Sequence, residues 1–409
     1  MIRFYLILID ATVPILAGYI LILLSEAGSI DAYILYSFIL VIFSIFKGLY
    51  KNYYSVHFSE KIRISFITSI ILIFFQLIYY SYYSIEMNIA IVLSWIVISI
   101  TILLARYILK CVSKSINNET ISIIGNLYKF TDHEIKILTN KKFKVYFYNE
   151  LSEYIKKFNI NNDLDTAVIN MHISSTQNMK LLSSANTISL GKFMENYLRK
   201  VYIDETDAFN NINKYNRSDL ILKRLIDYTA VIILLPVLIA VSIYVSIMQF
   251  VKSYDGSLIF IQKRYGENKN IFLLYKLRTM HIDSDMQGNT AKNDQRIYPF
   301  AKSLRKYRLD ELPQLINIIC GDMHLVGPRA EWIKLSDEYS KNIDNYALRN
   351  IVKPGITGWA QVLYQYGFDI NDSKQKLMYD LYYIKNWTVW LELDLCIKTM
   401  IVILDKKGF

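Results

Sequence analysis

Read as a pattern of apolar and polar positions, the chain opens with four long uncharged runs, at about residues 4–24, 32–50, 64–83 and 88–108. Each is close to the ~20 residues a helix needs to cross the apolar core of a bilayer, so residues 1–110 are predicted to form a four-helix membrane bundle. The loops orient it. Glu26 and Asp31 separate the first two runs and Glu86 the last two, whereas Lys47, Lys51, Lys61 and Arg63 fill the middle loop and Lys110 and Lys114 follow the fourth run. Basic loops stay on the cytosolic side, which places both ends of the bundle there. The first run follows Arg3, contains Asp10 and Pro14, and is not followed by a small-residue cleavage site, so it is expected to be a retained span.

Between residues 119 and 205 the pattern changes to short β-rich runs alternating with polar helical stretches: ISIIG at 121–125, FKVYFY at 143–148, TAVIN at 166–170, and TISL before a helix from Gly191. This predicts a small cytosolic α/β, Rossmann-like domain. Its first strand ends at Gly125, but NLYKF follows, so neither glycine-rich phosphate loop is present and a scaffolding or regulatory role is expected. A fifth apolar run, Thr229 to Val251, has Arg217, Lys223 and Arg224 before it and Lys252, Lys263 and Arg264 after it. Cytosolic markers on both sides, with Pro236 inside to bend a helix, predict a re-entrant helix at about 224–251. An ordinary span would place everything after residue 252 outside the cell.

Composition agrees with a membrane protein: 53% of residues are hydrophobic and the mean hydropathy is +0.23. The net charge of +10 is not accompanied by a base-reading motif, so nucleic acid is excluded in favour of anionic lipid and anionic substrates. Cys111, Cys320 and Cys396 are odd in number and far apart, which excludes a disulfide framework and a zinc site.

Candidate chemistry gathers beyond Gln262. The segment RLDELPQLINIICGDM places Asp310 and Glu311 at a predicted helix start whose Pro313 is tolerable only in a first turn. On that helix Asp310, Gln314 and Asn317 share one stripe, and Leu312, Leu315, Ile316 and Ile319 line the opposite side. Capping alone would explain an acidic pair there. The surrounding cations argue for more: Lys276 and Arg278 in YKLRTM, Arg296, Arg305 and Arg308, and Arg329 in LVGPRAE. Phosphoryl transfer asks for such groups to hold and neutralise phosphate oxygens.

In order, KRLID at 223–227, QKRYG at 262–266, YKLRTM at 275–280, LRKYRLDELPQL at 304–315, GDMHLVGPRAE at 321–331, KPGITGWAQV at 353–362 and YDLYYIKNW at 379–387 resemble the bacterial sugar transferase family, the polyprenyl-phosphate hexose-1-phosphate transferases or monotopic phosphoglycosyl transferases. The resemblance implies an α-rich mixed catalytic domain at 220–409 with a re-entrant membrane helix, after a membrane bundle and an α/β domain as in the family's large subgroup. It implies transfer of a sugar-1-phosphate from a nucleotide-diphosphate sugar, with UDP expected, to undecaprenyl phosphate, initiating exopolysaccharide, capsule or O-antigen synthesis at the cytosolic face of a bacterial inner membrane. Asp310 falls on the family's nucleophile, forming a phosphosugar-aspartyl intermediate, and Glu311 on the acid expected to hold Mg²⁺. Lys276, Arg278, Arg296, Arg305 and Arg329 are candidate phosphate clamps with Asp294 in support, and Lys223 and Arg224, at the mouth of the helix containing Pro236, are placed to meet the carrier lipid.

The chain departs from the family pattern at His324, where Ser is usual, at Ala330 and Gln295, where Pro is usual, and at Leu277, where an aromatic is usual. His324 is either a hydrogen-bonded structural residue or a general acid or base. The aromatic segment Tyr379–Trp390 is either a helix on the membrane surface or a core helix. An inactive scaffold for polysaccharide assembly is the alternative to an enzyme, and it has no use for an acid pair among arginines. A transporter would need more spans. The sugar, the pathway and the oligomeric state, including self-association, stay open.

Overall fold

The computed structural model describes residues 120–404 apart from 141–142, 158–164, 172–186, 204–211, 213–214, 255, 282–294, 365–366 and 368, together with isolated positions before residue 42. Apart from those isolated positions the four expected spans lie outside the described residues, as do Asp10 and Asp294. The chain divides into two compact units, the first ending at Leu198 and the second beginning at Arg199.

In the first unit β1 (Thr120–Ile124), α1 (Asp132–Asn140), β2 (Lys144–Tyr148), α2 (Leu151–Lys157), β3 (Asp165–Ile169), β4 (Thr187–Ser189) and the short α3 (Leu190–Phe193) build a mixed α/β layer. The sheet is wholly parallel with order β2-β1-β3-β4. β1 lies inside it, so its residues from Ile121 to Ile124 are all buried, three isoleucines and Ser122, and both faces of the strand are covered. A reciprocal capping box starts α1: Thr131 N–H donates to Glu134 Oε2 at 2.6 Å and Glu134 N–H to Thr131 Oγ1 at 3.3 Å. Gly125 holds φ +100°, and a Cβ there would lie 2.4 Å from the carbonyl oxygen of Asn170. The Asn170 side chain donates to the carbonyls of Gly125 and Tyr128 and accepts the Tyr128 N–H, tying the ends of β1 and β3 together.

The second unit is organised on α4 (Arg217–Lys252), which starts earlier than the sequence predicts and runs on through Pro236. Its 36 residues extend ~54 Å, and among the described residues it is the helix long and apolar enough to cross a membrane. Ile232, Ile233, Ile247 and Phe250 are exposed. Other faces of α4 hold the unit along its length. Val231 packs with Phe272, Leu274, Leu315 and Ile318, and Val245, fourteen residues further on, packs with Leu277, Tyr298, Ala301 and Leu304. Around it lie the antiparallel hairpin of β5 (Ile259–Tyr265) and β6 (Ile271–Leu277), α5 (Ala301–Lys306), α6 (Gln314–Cys320), and the parallel pair β7 (His324–Val326) and β8 (Gly355–Thr357). Helices α7 (Ile333–Asn342), α8 (Trp359–Leu363), α9 (Ile370–Lys385) and α10 (Val389–Leu404) complete it.

The sequence boundaries near 205 and 220 need correction. Val201 N–H donates to the Met378 carbonyl at 2.9 Å, Trp359 Nε1–H to the Arg199 carbonyl at 3.1 Å, and the fully buried Lys200 Nζ to Gln375 Oε1 at 2.8 Å. Residues 199–203 thus belong to the second unit. The open reading of the aromatic segment is also decided, because Tyr379, Tyr382 and Tyr383 are buried on α9 as core.

Candidate active site around Asp310 and Glu311

The acidic pair does not begin an α-helix as the sequence predicts. Helix α5 ends at Lys306, Arg308 takes a left-handed conformation (φ 54°, ψ 24°), and Leu309–Glu311 form a single 3₁₀ turn ahead of Pro313 and α6. A non-glycine residue at positive φ costs on the order of 1 kcal/mol and is held by its surroundings. Here it redirects the chain so that two consecutive carboxylates occupy one tight turn.

Helix α6 turns a partly polar face inward. Gln314, Leu315, Asn317 and Ile318 are buried, whereas Ile316 and Ile319, expected on the apolar side, are exposed. The reason is the unpaired edge of β6, whose polar main-chain groups need partners. Asn317 Nδ2 donates to the Leu273 carbonyl at 2.7 Å and its Oδ1 accepts the Tyr275 N–H at 3.2 Å. This clasp puts the next residue of β6, Lys276, against Glu311.

Three cations converge on that carboxylate. Lys276 Nζ lies 2.9 Å and Arg329 Nη1 3.5 Å from Glu311 Oε1, and Arg308 Nη1 lies 3.5 Å from Oε2. Burial alone would raise the Glu311 pKa, but Lys276, Arg329 and Arg308 outweigh it and hold the group well below the usual carboxylate range. Asp310 moves the other way, to about 6, because burial and the charge of Glu311 exceed the help it receives from Lys276 and Arg305. Burial also lowers the Lys276 pKa, against the pull of Glu311.

Arg329 reaches the site from the β7–α7 connection, which lies against β8 so closely that a Cβ on Gly355 would come within 2.0 Å of the Gly327 nitrogen. Arg349 steadies that connection, donating from Nη2 to the Arg329 carbonyl at 3.2 Å. Behind the acid pair, Arg264, Lys276, Gln314 and Arg329, with Leu274, Met323, Ala330 and Gly355, line a small cleft open to solvent, whose enclosed part measures only about 10 Å³.

The site thus brings together Asp310, Glu311, Lys276, Arg305 and Arg329. Arg278 is not among the cations that meet Glu311: its Nε donates to the Ser257 carbonyl at 3.0 Å and its guanidinium lies over the Phe260 ring. Arg296 lies in the segment whose main-chain carbonyl accepts the His281 N–H. The carrier-lipid role expected of Lys223 is not compatible with its position. It is fully buried, with Nζ donating to Glu392 Oε1 at 2.7 Å, Tyr383 Oη at 2.8 Å and the Val326 carbonyl at 3.0 Å. Arg224 binds the carbonyls of Ile318, Gly321 and Met323 at the end of α6, and Pro236 lies on an exposed stretch of α4. His324 proves structural: buried, with Nδ1 2.6 Å from Asp227 Oδ2 while Asp227 Oδ1 accepts the Leu325 N–H, so it pins β7 to α4.

The metal role expected of Glu311 does not fit this arrangement. Both its oxygens face cations, which oppose a dication at the same place. Sequence reasoning missed Arg264 as a site residue. The period-two alternation of β5 carried the signal, since Gln262 and Arg264 point to the side opposite the exposed Ile261 and Lys263.

The profile of the family described as bacterial sugar transferase matches residues 218–406, most of the second unit. An uncharacterized sugar transferase of Bacillus subtilis (strain 168), EpsL, is 37% identical over 190 residues, covering 46% of this chain and 90% of that protein. The chain belongs to the bacterial sugar transferase family. It is also 37% identical over 189 residues to a UDP-N-acetylgalactosamine-undecaprenyl-phosphate N-acetylgalactosaminephosphotransferase of Aeromonas hydrophila, covering 46% of this chain. A UDP-glucose:undecaprenyl-phosphate glucose-1-phosphate transferase of Xanthomonas campestris pv. campestris is 37% identical over 181 residues, covering 42% of this chain. The matched region spans 44% and 36% of the lengths of these two relatives.

Proposed function

We propose that this chain transfers a sugar-1-phosphate from a UDP-sugar to undecaprenyl phosphate through a phosphosugar-aspartyl intermediate on Asp310. One observation carries the reading: two adjacent carboxylates are driven apart in protonation, Glu311 by three cations, while Asp310 keeps a raised pKa beside a cleft lined with cations. A carboxylate of raised pKa is the more basic of the pair and the better nucleophile. In the first step an Asp310 oxygen bonds to the sugar-bearing phosphorus, the bond from that phosphorus to the bridging oxygen breaks, and UMP leaves with that oxygen. In the second, a phosphate oxygen of the carrier attacks the same phosphorus and the Asp310 carboxylate is released. Lys276, Arg305 and Arg329 stand where the phosphate oxygens need neutralising.

The named relatives act on UDP-sugars and undecaprenyl phosphate, which supports the substrate class for the second unit. The reading extends to a multi-pass inner-membrane protein with a four-helix bundle, a Rossmann-like first unit and a cytosolic catalytic unit. That both halves of α4 pack on this one unit supports a helix that lies within one leaflet rather than one that separates its ends across the bilayer. The experiment uses the full chain in lipid with a panel of UDP-sugars. Carrier-dependent UMP release by the native protein, lost in Asp310→Asn, is the expected result. Undiminished release by Asp310→Asn would overturn the nucleophile assignment, and silence from folded native protein across the panel would overturn the transferase reading.

A further inference from the structure

The cleft behind Glu311 contains an unmet hydrogen bond. Arg264 sits on β5 opposite Phe272 of β6, and its Nη1 donates to the Ala330 carbonyl at 2.9 Å, next to Arg329. Its Nε is buried and finds no acceptor among the described residues. A buried unpaired donor costs on the order of 1–3 kcal/mol, more when charged, so it marks a place where an acceptor belongs. The surroundings say what kind. Arg264, Lys276 and Arg329 line the same cleft, Gln314 adds an amide, and the two carboxylates that act on Arg264 are each shared with a further cation, Glu331 with Arg349 and Glu311 with Arg308. Burial and the nearby Arg329 push the Arg264 guanidinium down to about 10, against the pull of Glu331 and Glu311.

We propose that Arg264 is a phosphate-binding residue of this cleft, its free Nε–H donating to a phosphate oxygen that enters between Arg264, Lys276 and Arg329. The enclosed part of the cleft is narrow, so one oxygen enters it and the rest of the phosphate stays toward Asp310. The phosphate is either that of the nucleotide donor or that of the lipid acceptor. The chemistry of the subsite is common to both, and it rests on the transferase reading only for the identity of the phosphate.

The first measurement is thermal unfolding of the full chain in lipid nanodiscs against inorganic phosphate, with chloride at matched ionic strength as reference. The native chain and Lys341→Met, altered at an exposed site on α7, are expected to show the same saturable rise. In Arg264→Met the phosphate midpoint is expected to move up by about ten- to a hundredfold, as for loss of one hydrogen bond to a charged group. Arg264→Lys keeps charge and stem and serves where the methionine variant does not fold; it is expected to show a smaller shift. An Arg264 that only braces the Ala330 segment would lower the melting temperature and leave the phosphate midpoint where it was, which would overturn the proposal, as would a native chain with no saturable rise. Initial rates then separate the sources: a raised KM for the UDP-sugar alone assigns the donor phosphate, and a raised KM for the polyprenyl phosphate alone assigns the acceptor. A chain that binds phosphate through Arg264 but transfers no sugar phosphate would leave this subsite standing and sink the transferase reading. Normal transfer by Arg264→Met, with an unmoved midpoint, would do the reverse.

Discussion

Asp310 and Glu311 are neighbours in the chain, yet what surrounds each side chain sends the two carboxyls in opposite directions. On the proposed mechanism Asp310 attacks as a carboxylate, and its pKa is raised to about 6, so kcat/KM is expected to climb as pH rises through about 6 and then level. A profile flat from pH 5 to 8 would count against it. The same shift affects stability. A carboxyl whose folded pKa exceeds its unfolded value binds more protons when folded, so stability falls as pH rises through that window and the full cost remains above it. Asp310→Asn removes the charge and is expected to stabilise the chain by roughly 1–2 kcal/mol near pH 7.5, after allowing for screening at a half-buried group, with the gain vanishing toward pH 4. Chemical denaturation at the two pH values measures it. Glu311 contacts Lys276, Arg308 and Arg329, so Glu311→Gln is expected to lower kcat by about a hundredfold, with any dependence of the rate on Mg²⁺ left as in the native chain. A shifted Mg²⁺ midpoint would restore the ligand role.

At the scale of elements, α4 is attached to the rest of its unit by buried charge. Lys223 joins α4 to β7, α9 and α10 at once through Val326, Tyr383 and Glu392. Removing one member of a buried pair strands the other, so Lys223→Met is expected to cost about 3–5 kcal/mol of stability. The folded fraction should keep its KM for polyprenyl phosphate, and a KM raised without loss of stability would return Lys223 to the carrier site. The same attachment explains why most exposed residues of α4 between Leu220 and Val251 are apolar while its buried ones include Lys223 and Asp227: these charges are paired inward, and the hydrocarbon faces out.

For the whole molecule, the division at Leu198/Arg199 sets where the chain can be cut. A fragment of residues 199–409 is expected to unfold cooperatively and keep transfer activity in detergent. Cutting at residue 220 instead removes the buried Lys200 and the main-chain bond of Val201, and is expected to lower the melting temperature sharply. Equal stability of the two fragments would argue that residues 199–203 are dispensable. The sequence by itself determined the apolar run of α4, the alternation of strands and helices around the parallel sheet, the ordered motifs of the family, and the proximity of Asp310 to several cations. These are legible because hydrophobic periodicity and adjacent residue types are local properties. Only the tertiary structure decided which cations meet Glu311, that Arg278 and Lys223 face other partners, that Arg308 adopts the left-handed turn, that Asn317 clasps the edge of β6, and that Arg264 lines the cleft. Each depends on residues dozens of positions apart reaching hydrogen-bond distance, and a side chain's burial and charge partners are set by that packing rather than by its neighbours in the chain.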